Sequence, residues 1–191
     1  MAVDKRRVAV AVDPAATDTE ESDETGIEVG ATGQDRRGYV LEDLSGRYTP
    51  DGWARQAILA YFRWGANAIV CEKNNGGDMV KYTIKATARA MKIAGEIPTA
   101  EIPVVMKWAS HGKFARAEPV AALYEQKRIS HVGMFSALED QLCNWEPSSN
   151  DRSPDRLDAV VWLFTYLMLD GEADIAIGPV GIEQNNEWAD A

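Results

Sequence analysis

A short apolar run near the amino terminus, Arg7-Val8-Ala9-Val10-Ala11-Val12-Asp13-Pro14, organises the rest of the chain. Its five consecutive apolar residues, three of them β-branched, lie between a charged residue and a proline, which is typical of a strand buried on both faces. The strand ends at Asp13, a carboxylate that loses hydration there and needs a strong partner such as a hydrated metal ion. Taken alone, the stretch also fits an Asp that only caps the Asp-Pro turn.

The composition indicates one soluble domain. The chain has 191 residues, of which 46% are hydrophobic, and this is enough for a single well-packed core. It contains no apolar run of about 18 residues and no signal peptide at its start, so we expect a soluble, intracellular, non-secreted protein with no membrane partner. Cys71 and Cys143 are too few for a disulfide framework and lack zinc-site spacing, and we expect both to be reduced, buried thiols.

The charge is unevenly distributed along the chain. The net charge is −10, which argues against a polyanionic partner, because phosphate binding is dominated by Lys and Arg. Residues 73–128, however, carry ten basic and five acidic side chains between two acidic ends. This middle segment predicts either a surface that faces a polyanion or ordinary solvated helix faces.

The residues after the first strand predict an alternation of strands and helices. Residues 25–31 and 39–44 alternate in type around a turn, which makes an antiparallel meander of three strands. A helix follows with Thr49 as its N-cap and Gly65 at its end. The remaining predicted elements are a strand over 67–72, a helix to about Ala94, a strand over 102–108, a helix over 113–127, a short extended piece over 130–133 and a helix over 135–145.

The last predicted helix carries two acids near its start. Ser153 suits the N-cap and Pro154 the first helical position, and residues 157–169 are apolar on nearly every side. Asp155 and Asp158 are three residues apart and therefore share one face of the first turns. Asp155 also fits simple compensation of the helix dipole. Asp158 lies inside the apolar run, where an unpaired carboxylate is costly.

Four carboxylates thus lie at the ends of buried elements: Asp13, Glu72, Asp155 and Asp158. Mg²⁺ and Mn²⁺ prefer oxygen ligands, and a few carboxylates with a substrate phosphate are the usual way to hold them. Two such ions about 3.5–4 Å apart can activate water and stabilise the leaving oxygen of a phosphodiester. We expect Asp13 and Glu72 on neighbouring strands, with the last helix crossing that edge.

The order of elements and four motifs resemble a known fold. The motifs are Val10-Ala11-Val12-Asp13-Pro14-Ala15, Val70-Cys71-Glu72-Lys73-Asn74-Asn75-Gly76-Gly77-Asp78, Lys113-Phe114-Ala115-Arg116-Ala117-Glu118-Pro119-Val120 and Ser153-Pro154-Asp155-Arg156-Leu157-Asp158-Ala159-Val160-Val161-Trp162. Over roughly residues 6–170 they resemble the RNase H-like fold of metal-dependent nucleases and, more narrowly, the C-terminal nuclease domain of the large terminase subunits of tailed phages.

The resemblance implies a fold and a division of the chain. The fold is α/β, with an RNase H-like mixed sheet of about five strands, the first three antiparallel and the rest parallel to strand one, flanked by helices. Residues 1–170 are expected to form the nuclease domain, and residues 171–191 an acidic, mobile C-terminal tail.

The implied activity is endonucleolytic cutting of concatemeric double-stranded phage DNA during packaging in the host cytoplasm, with two Mg²⁺ or Mn²⁺ ions. By the same resemblance, Asp13 would bridge both ions, Glu72 would hold one, and Asp158 with Asp155 would hold the other. We expect His111 and His131 to be bystanders. The candidate DNA contacts are Asn74, Asn75, Lys107, Lys113 and Arg116, although Asn-Gly is first of all a turn former.

One feature of a complete large terminase is absent from the sequence. No G-x-x-x-x-G-K-[ST] phosphate loop occurs, so an ATPase domain, together with the small terminase and the portal, is implied as a partner. Two alternatives remain open: a nuclease like the Holliday-junction resolvases, and a non-catalytic docking domain of a packaging motor. An actin-like or sugar-kinase half would need a second domain and Gly-rich phosphate loops that the chain lacks.

Overall fold

A computed structural model describes residues 5–14, 24–73, 77–109, 112–146 and 154–170. In this part of the chain, helices pack on both faces of one mixed sheet. The elements are β1 (Lys5–Asp13), β2 (Gly26–Gly33), β3 (Gly38–Asp43), α1 (Pro50–Trp64), β4 (Ala68–Lys73), α2 (Gly77–Ile93), β5 (Val104–Trp108), α3 (Lys113–Glu125), β6 (Ile129–His131), α4 (Ser136–Asn144) and α5 (Asp155–Phe164), the last continued by a π-helical turn (Thr165–Leu169).

The sheet has the strand order β5-β4-β1-β2-β3-β6. β2 runs antiparallel to β1 and β3, whereas β4 is parallel to both β1 and β5. The predicted RNase H-like class is therefore confirmed. The described residues form six strands rather than about five, because the short piece Ile129–His131 pairs in parallel with β3.

Side chains of β1 alternate between the two faces of the sheet, as the period of a strand requires. Val8, Val10 and Val12 pack on the face covered by α1 and α2, whereas Ala9 and Ala11 face α5. The small side chains on the second face let α5 lie close to the strands. This close approach carries the first turn of α5 over the end of β1.

The helix ends follow their local sequence signals with one shift. The Thr49 side chain accepts a hydrogen bond from the Gly52 amide at 3.1 Å, and Gly65 ends α1 in the left-handed conformation with φ 59°, as predicted. Pro154, expected at the first helical position, lies instead at the N-cap of α5. Its predicted neighbour, the cap Ser153, falls outside the described residues.

The two cysteines differ in exposure. Cys71 is a buried free thiol, as predicted, but Cys143 is free and exposed, so the expectation that both are buried was wrong. Cys143 lies near the end of α4, a helix that places only Leu138 in the core. No helix within the described ranges is both long and apolar enough to span a bilayer.

Candidate active site

The carboxyl ends of β1 and β4 bring the first two acids together. The two strands are parallel neighbours in which Val12 pairs with Cys71, so Asp13 and Glu72 follow at the same edge of the sheet. Asp13 ends its strand partly buried, and the Glu72 side chain is 13% exposed. The expectation that these acids lie on neighbouring strands is met.

The start of α5 lies over the same edge. Asp13 pairs with Gly26 of β2, and a Cβ on Gly26 would overlap the carbonyl group of Asp155 and lie 3.0 Å from the Cβ of Ala159. The missing side chain therefore lets the first turn of α5 rest on the strand. Asp158 lies in this turn and is 3% exposed.

The pKa of Asp13 depends on the other three acids. The pKa of Asp13 is raised from 3.8 to about 8, first by burial and then by the negative charges of Asp158, Glu72 and Asp155, in that order, while Lys113 acts in the opposite direction. Electrostatic coupling of this size requires the four carboxylates to share one region of the molecule. A carboxyl in such surroundings is costly to ionise until a cation joins it.

Two cations from the start of α3 pair with two of these acids. The Lys113 Nζ atom lies 2.7 Å from Asp158 Oδ2, and Arg116 Nη1 donates to Glu72 Oε1 at 3.2 Å. The Trp162 indole donates to the other Glu72 oxygen at 3.2 Å, and the Arg116 guanidinium lies 4.7 Å from the centroid of that indole ring. Asp158 and Glu72 are thus each paired with a cationic side chain of the chain itself.

The donor set fits a hard divalent cation in its chemistry and location, since it consists of carboxylate oxygens gathered around one strand end. Among the described residues, no three His, Cys, Asp or Glu side chains are arranged so that they could hold a metal ion as they stand. Lys113 contacts one oxygen of Asp158, and Arg116 contacts one oxygen of Glu72. A metal ion that used those same oxygens would have to displace the two cations.

The fold agrees with the comparison with known families. A model of the terminase RNaseH-like domain matches residues 10–167. The chain belongs to this family. The matched range spans all four motifs and therefore all four acids. No curated protein matches the sequence significantly.

Solved structures share the fold of this terminase domain at low identity. The nuclease domain of the large terminase subunit of bacterial virus Sf6 is 15% identical, with a TM-score of 0.58 over 82% of this chain and 87% of that one. A variant of that domain solved with manganese and β-thujaplicinol is 14% identical, with a TM-score of 0.52 over 83% of this chain and 87% of that one.

Two further relatives in structure come from other systems. The human cytomegalovirus terminase nuclease domain is 12% identical, with a TM-score of 0.56 over 85% of this chain and 83% of that one. The yeast mitochondrial Holliday junction resolvase is 10% identical, with a TM-score of 0.52 over 87% and 80%. Family membership and fold together support an RNase H-like nuclease.

The remaining candidate DNA contact with a described position is Lys107, and of the two histidines expected to be bystanders only His131 is described. Lys107 pairs with Asp170 at 2.6 Å, and its side chain is only 19% exposed. His131 lies on β6, between Tyr124 and Glu139. The Tyr124 hydroxyl is 2.9 Å from its Nε2 atom, and the Glu139 carboxylate is 3.0 Å from its Nδ1 atom. It is distant from the four acids along the sequence. Asn74, Asn75 and His111 fall outside the described residues.

Arg156, which the sequence interpretation passed over, anchors the acid-bearing turn. Its Nε donates to Asp43 at 3.0 Å, its Nη2 donates to the Ser45 carbonyl at 3.3 Å, and it also pairs with Glu24. These contacts tie the start of α5 to β3. The sequence signal that could have identified Arg156 was its position between Asp155 and Asp158.

Glu28 is a second residue that the sequence interpretation missed. It points from β2 toward α5, is 0% exposed, and neither carboxyl oxygen makes a hydrogen bond of good geometry among the described residues. Burial, and then the nearby Asp43, raises the pKa of Glu28 well above its usual range. A glutamate inside an otherwise small and apolar strand was the signal in the sequence.

Proposed function

We propose that this terminase domain is a divalent-metal-dependent endonuclease that cuts double-stranded DNA, the concatemeric genome of a phage, during packaging. One observation carries the proposal. The pKa of Asp13 at the end of β1 is raised by burial and by the charges of Glu72, Asp155 and Asp158, and such a cluster is stabilised by added divalent cations.

The proposed cofactor is a pair of Mg²⁺ or Mn²⁺ ions, in keeping with the Sf6 variant solved with manganese. When bound, the ions would supply an activated water and charge neutralisation at the phosphate. Asp13 would help to hold both ions, and Glu72 would hold one. Asp155 and Asp158 would hold the other.

The residues of the chain itself have two further roles in this proposal. Lys113 and Arg116 balance the charges of Asp158 and Glu72 before metal arrives. Once divalent ions take over that balance, the two cationic side chains become available for the oxygens of the DNA phosphate. Asn74 and Asn75 remain proposed DNA contacts, and Lys107 would first have to leave Asp170.

Plasmid cleavage tests the proposal directly. The wild-type chain is incubated with supercoiled and linear plasmid in Mg²⁺ or Mn²⁺, with and without a chelator, beside Asp13→Asn, Asp158→Asn and the exposed control Asp140→Asn. We expect metal-dependent cutting by the wild type and the control, and none by the other two. Undiminished cutting by Asp13→Asn, or full activity in chelator, would overturn the proposal.

The same assay separates the alternative nuclease. The yeast resolvase with this fold is named for Holliday junctions, so four-way junctions, linear duplex and RNA–DNA hybrid are compared at equal concentration. Preference for linear duplex supports a terminase nuclease that works beside an ATPase domain, a small terminase and a portal. Preference for the junction supports the resolvase. If none of the three substrates is cut, with or without metal, the result supports a docking domain.

A further inference from the structure

A row of cations follows one side of α2. Lys81, Lys85 and Arg89 are spaced four residues apart, and a helix rises about 1.5 Å per residue, so successive charges lie about 6 Å apart along its axis. The only acid of this helix is Asp78 in its first turn. We call Lys81, Lys85 and Arg89 the α2 row.

The α2 row lines a shallow groove against the edge of the sheet. The three side chains form one wall of a depression of about 230 Å³, and residues 100–104, which lead into β5, form the other. β5 is the edge strand, and Glu101 is the only acid of the lining. Lys85 and Arg89 are exposed, and no ion pair within the described part of the chain uses any member of the row.

The α2 row begins on the side of the sheet where β4 ends at the candidate active site. Glu72 lies near the end of β4, and α2 begins four residues after Lys73, at Gly77. Lys81 lies one turn into the helix, and Lys85 and Arg89 lie progressively farther from that end. The row therefore runs from the side of the sheet that carries the candidate site toward the amino end of the edge strand β5.

We propose that the α2 row binds the phosphate backbone of a DNA arm that extends from the candidate site. The inference rests on the proposed function for its substrate and adds the surface that holds it. DNA carries a phosphate about every 3.4 Å along each strand, so a straight, evenly spaced row of cations meets a regular series of them. A single acidic side chain on a protein partner would use only part of the row.

Salt-dependent DNA binding tests the α2 row. Anisotropy of a labelled 30-bp duplex is measured in Ca²⁺ and in chelator, and a gel afterwards shows that the DNA is intact. The wild type is compared with Lys81→Gln/Lys85→Gln/Arg89→Gln and with Lys85→Gln/Arg89→Gln, whose changes are confined to exposed residues. The charge-matched control, Arg36→Gln/Lys127→Gln/Arg128→Gln, alters three exposed cations at the opposite edge.

Each phosphate contact contributes about 0.9 to the slope of log affinity against log salt. Between 50 and 200 mM salt the wild type should therefore lose about 40-fold more affinity than the triple variant, and the double variant should lie between them. The control should keep the wild-type slope. An unchanged slope in the triple variant, or an equal loss in the control, overturns the proposal.

Two outcomes distinguish the proposal for the α2 row from the nuclease proposal on which it rests. Row-dependent binding without cutting in any metal supports the α2 row and refutes the nuclease proposal. If the chain cuts DNA in a metal-dependent way but the triple variant keeps the wild-type salt slope, the nuclease proposal is supported and the proposal for the α2 row is refuted. Competition with polyglutamate completes the test: if it is bound through the row while DNA is bound equally well by the triple variant, the row serves an acidic polypeptide and the proposal is wrong.

Discussion

Asp13 is the residue at which the needs of the fold and of the proposed chemistry conflict. Its partly buried carboxyl has a pKa of about 8, because burial and three neighbouring acids all oppose its ionisation. A raised folded-state pKa means that stability falls as the pH rises above the value of the unfolded chain. Residues tuned for catalysis commonly weaken the fold in this way.

Asp13→Asn should stabilise the metal-free protein while abolishing its cutting. At pH 7 the folded protein holds on Asp13 a proton that the unfolded chain releases, and the amide, which does not ionise, removes this cost. Each 1 kcal/mol gained would raise the Tm by about 2–4 °C for a chain of this size. Calorimetry in chelator gives the Tm, with Asp140→Asn as the control that should not change it. A lower Tm for Asp13→Asn contradicts the stated coupling.

Glu28 shows the same conflict without an evident catalytic use. Its side chain is 0% exposed, lies close to Asp43, and has a pKa raised well above its usual range, so the folded protein holds this proton to higher pH than the unfolded chain does. The unfolded chain releases that proton at ordinary pH, near 4.5. Folding stability therefore falls as the pH rises above that value.

Glu28→Gln should remove this pH dependence. One proton difference corresponds to about 1.4 kcal/mol per pH unit, so the variant should match the wild type near pH 4.5 and gain on it as the pH rises. Urea denaturation at pH 5, 6, 7 and 8 measures the difference. The exposed Glu118→Gln serves as the matched control, and a constant difference between Glu28→Gln and wild type at all pH values would refute the assignment.

At the scale of elements, the packing of α5 on β2 places the acids. A Cβ on Gly26 would lie 2.7 Å from the carbonyl carbon of Asp155, whereas a Cβ on Gly30 would lie 2.6 Å from the Leu163 side chain and 2.9 Å from the Tyr39 carbonyl oxygen. Both glycines allow the helix to approach. Only Gly26 lies beneath the turn that carries Asp155 and Asp158.

Gly26→Ala should therefore reduce cutting more than its effect on stability explains. The added methyl group meets backbone, which must shift, and the shift moves the turn that carries Asp155 and Asp158. Gly30→Ala is the control, because it crowds the same helix two turns farther on. Tm and cleavage rate are measured for both at a temperature where each remains folded. If Gly26→Ala and Gly30→Ala lose equal stability and also lose equal activity, this role of Gly26 is contradicted.

At the scale of the whole molecule, Asp170 is the last described residue that contacts the rest of the domain. This residue pairs with Lys107 of β5, and the preceding π-helical turn buries Tyr166 and Leu167. The family match ends at residue 167. The predicted boundary between a domain over 1–170 and a tail over 171–191 remains a prediction, because the tail lies outside the described residues.

Truncation after Asp170 should leave the Tm within about 1 °C and the cutting rate unchanged, since no described contact of the core is removed. Truncation after Phe164 is the matched comparison. It deletes Tyr166, Leu167 and the Asp170 pair, and should destabilise the domain strongly because buried apolar side chains are lost. Thermal melts and plasmid cleavage measure both. Unfolding of the 1–170 chain would refute the boundary.

Local signals in the sequence were sufficient for most of the architecture. The alternating Val and Ala residues of β1 and the Thr49 and Gly65 caps of α1 predicted those elements, because period and capping act within a few residues. The RNase H-like class was implied by the resemblance that the order of elements and the four motifs carry. β6 was not counted as a sheet strand, since three residues carry too little periodicity. Asp13, Glu72, Asp155 and Asp158 were selected from sequence position, and their role as ligands remains to be tested.

Only the tertiary structure decided which charges meet. Lys113 pairs with Asp158 across 45 residues and Arg116 with Glu72 across 44, while Glu28 lies under α5 and the α2 row faces the edge of β5. Such encounters depend on strand order and helix crossing, which no local pattern contains. The sequence by itself determined the elements and the acids, and the packing of distant elements determined their partners, because electrostatic interactions depend on distance in space and not along the chain.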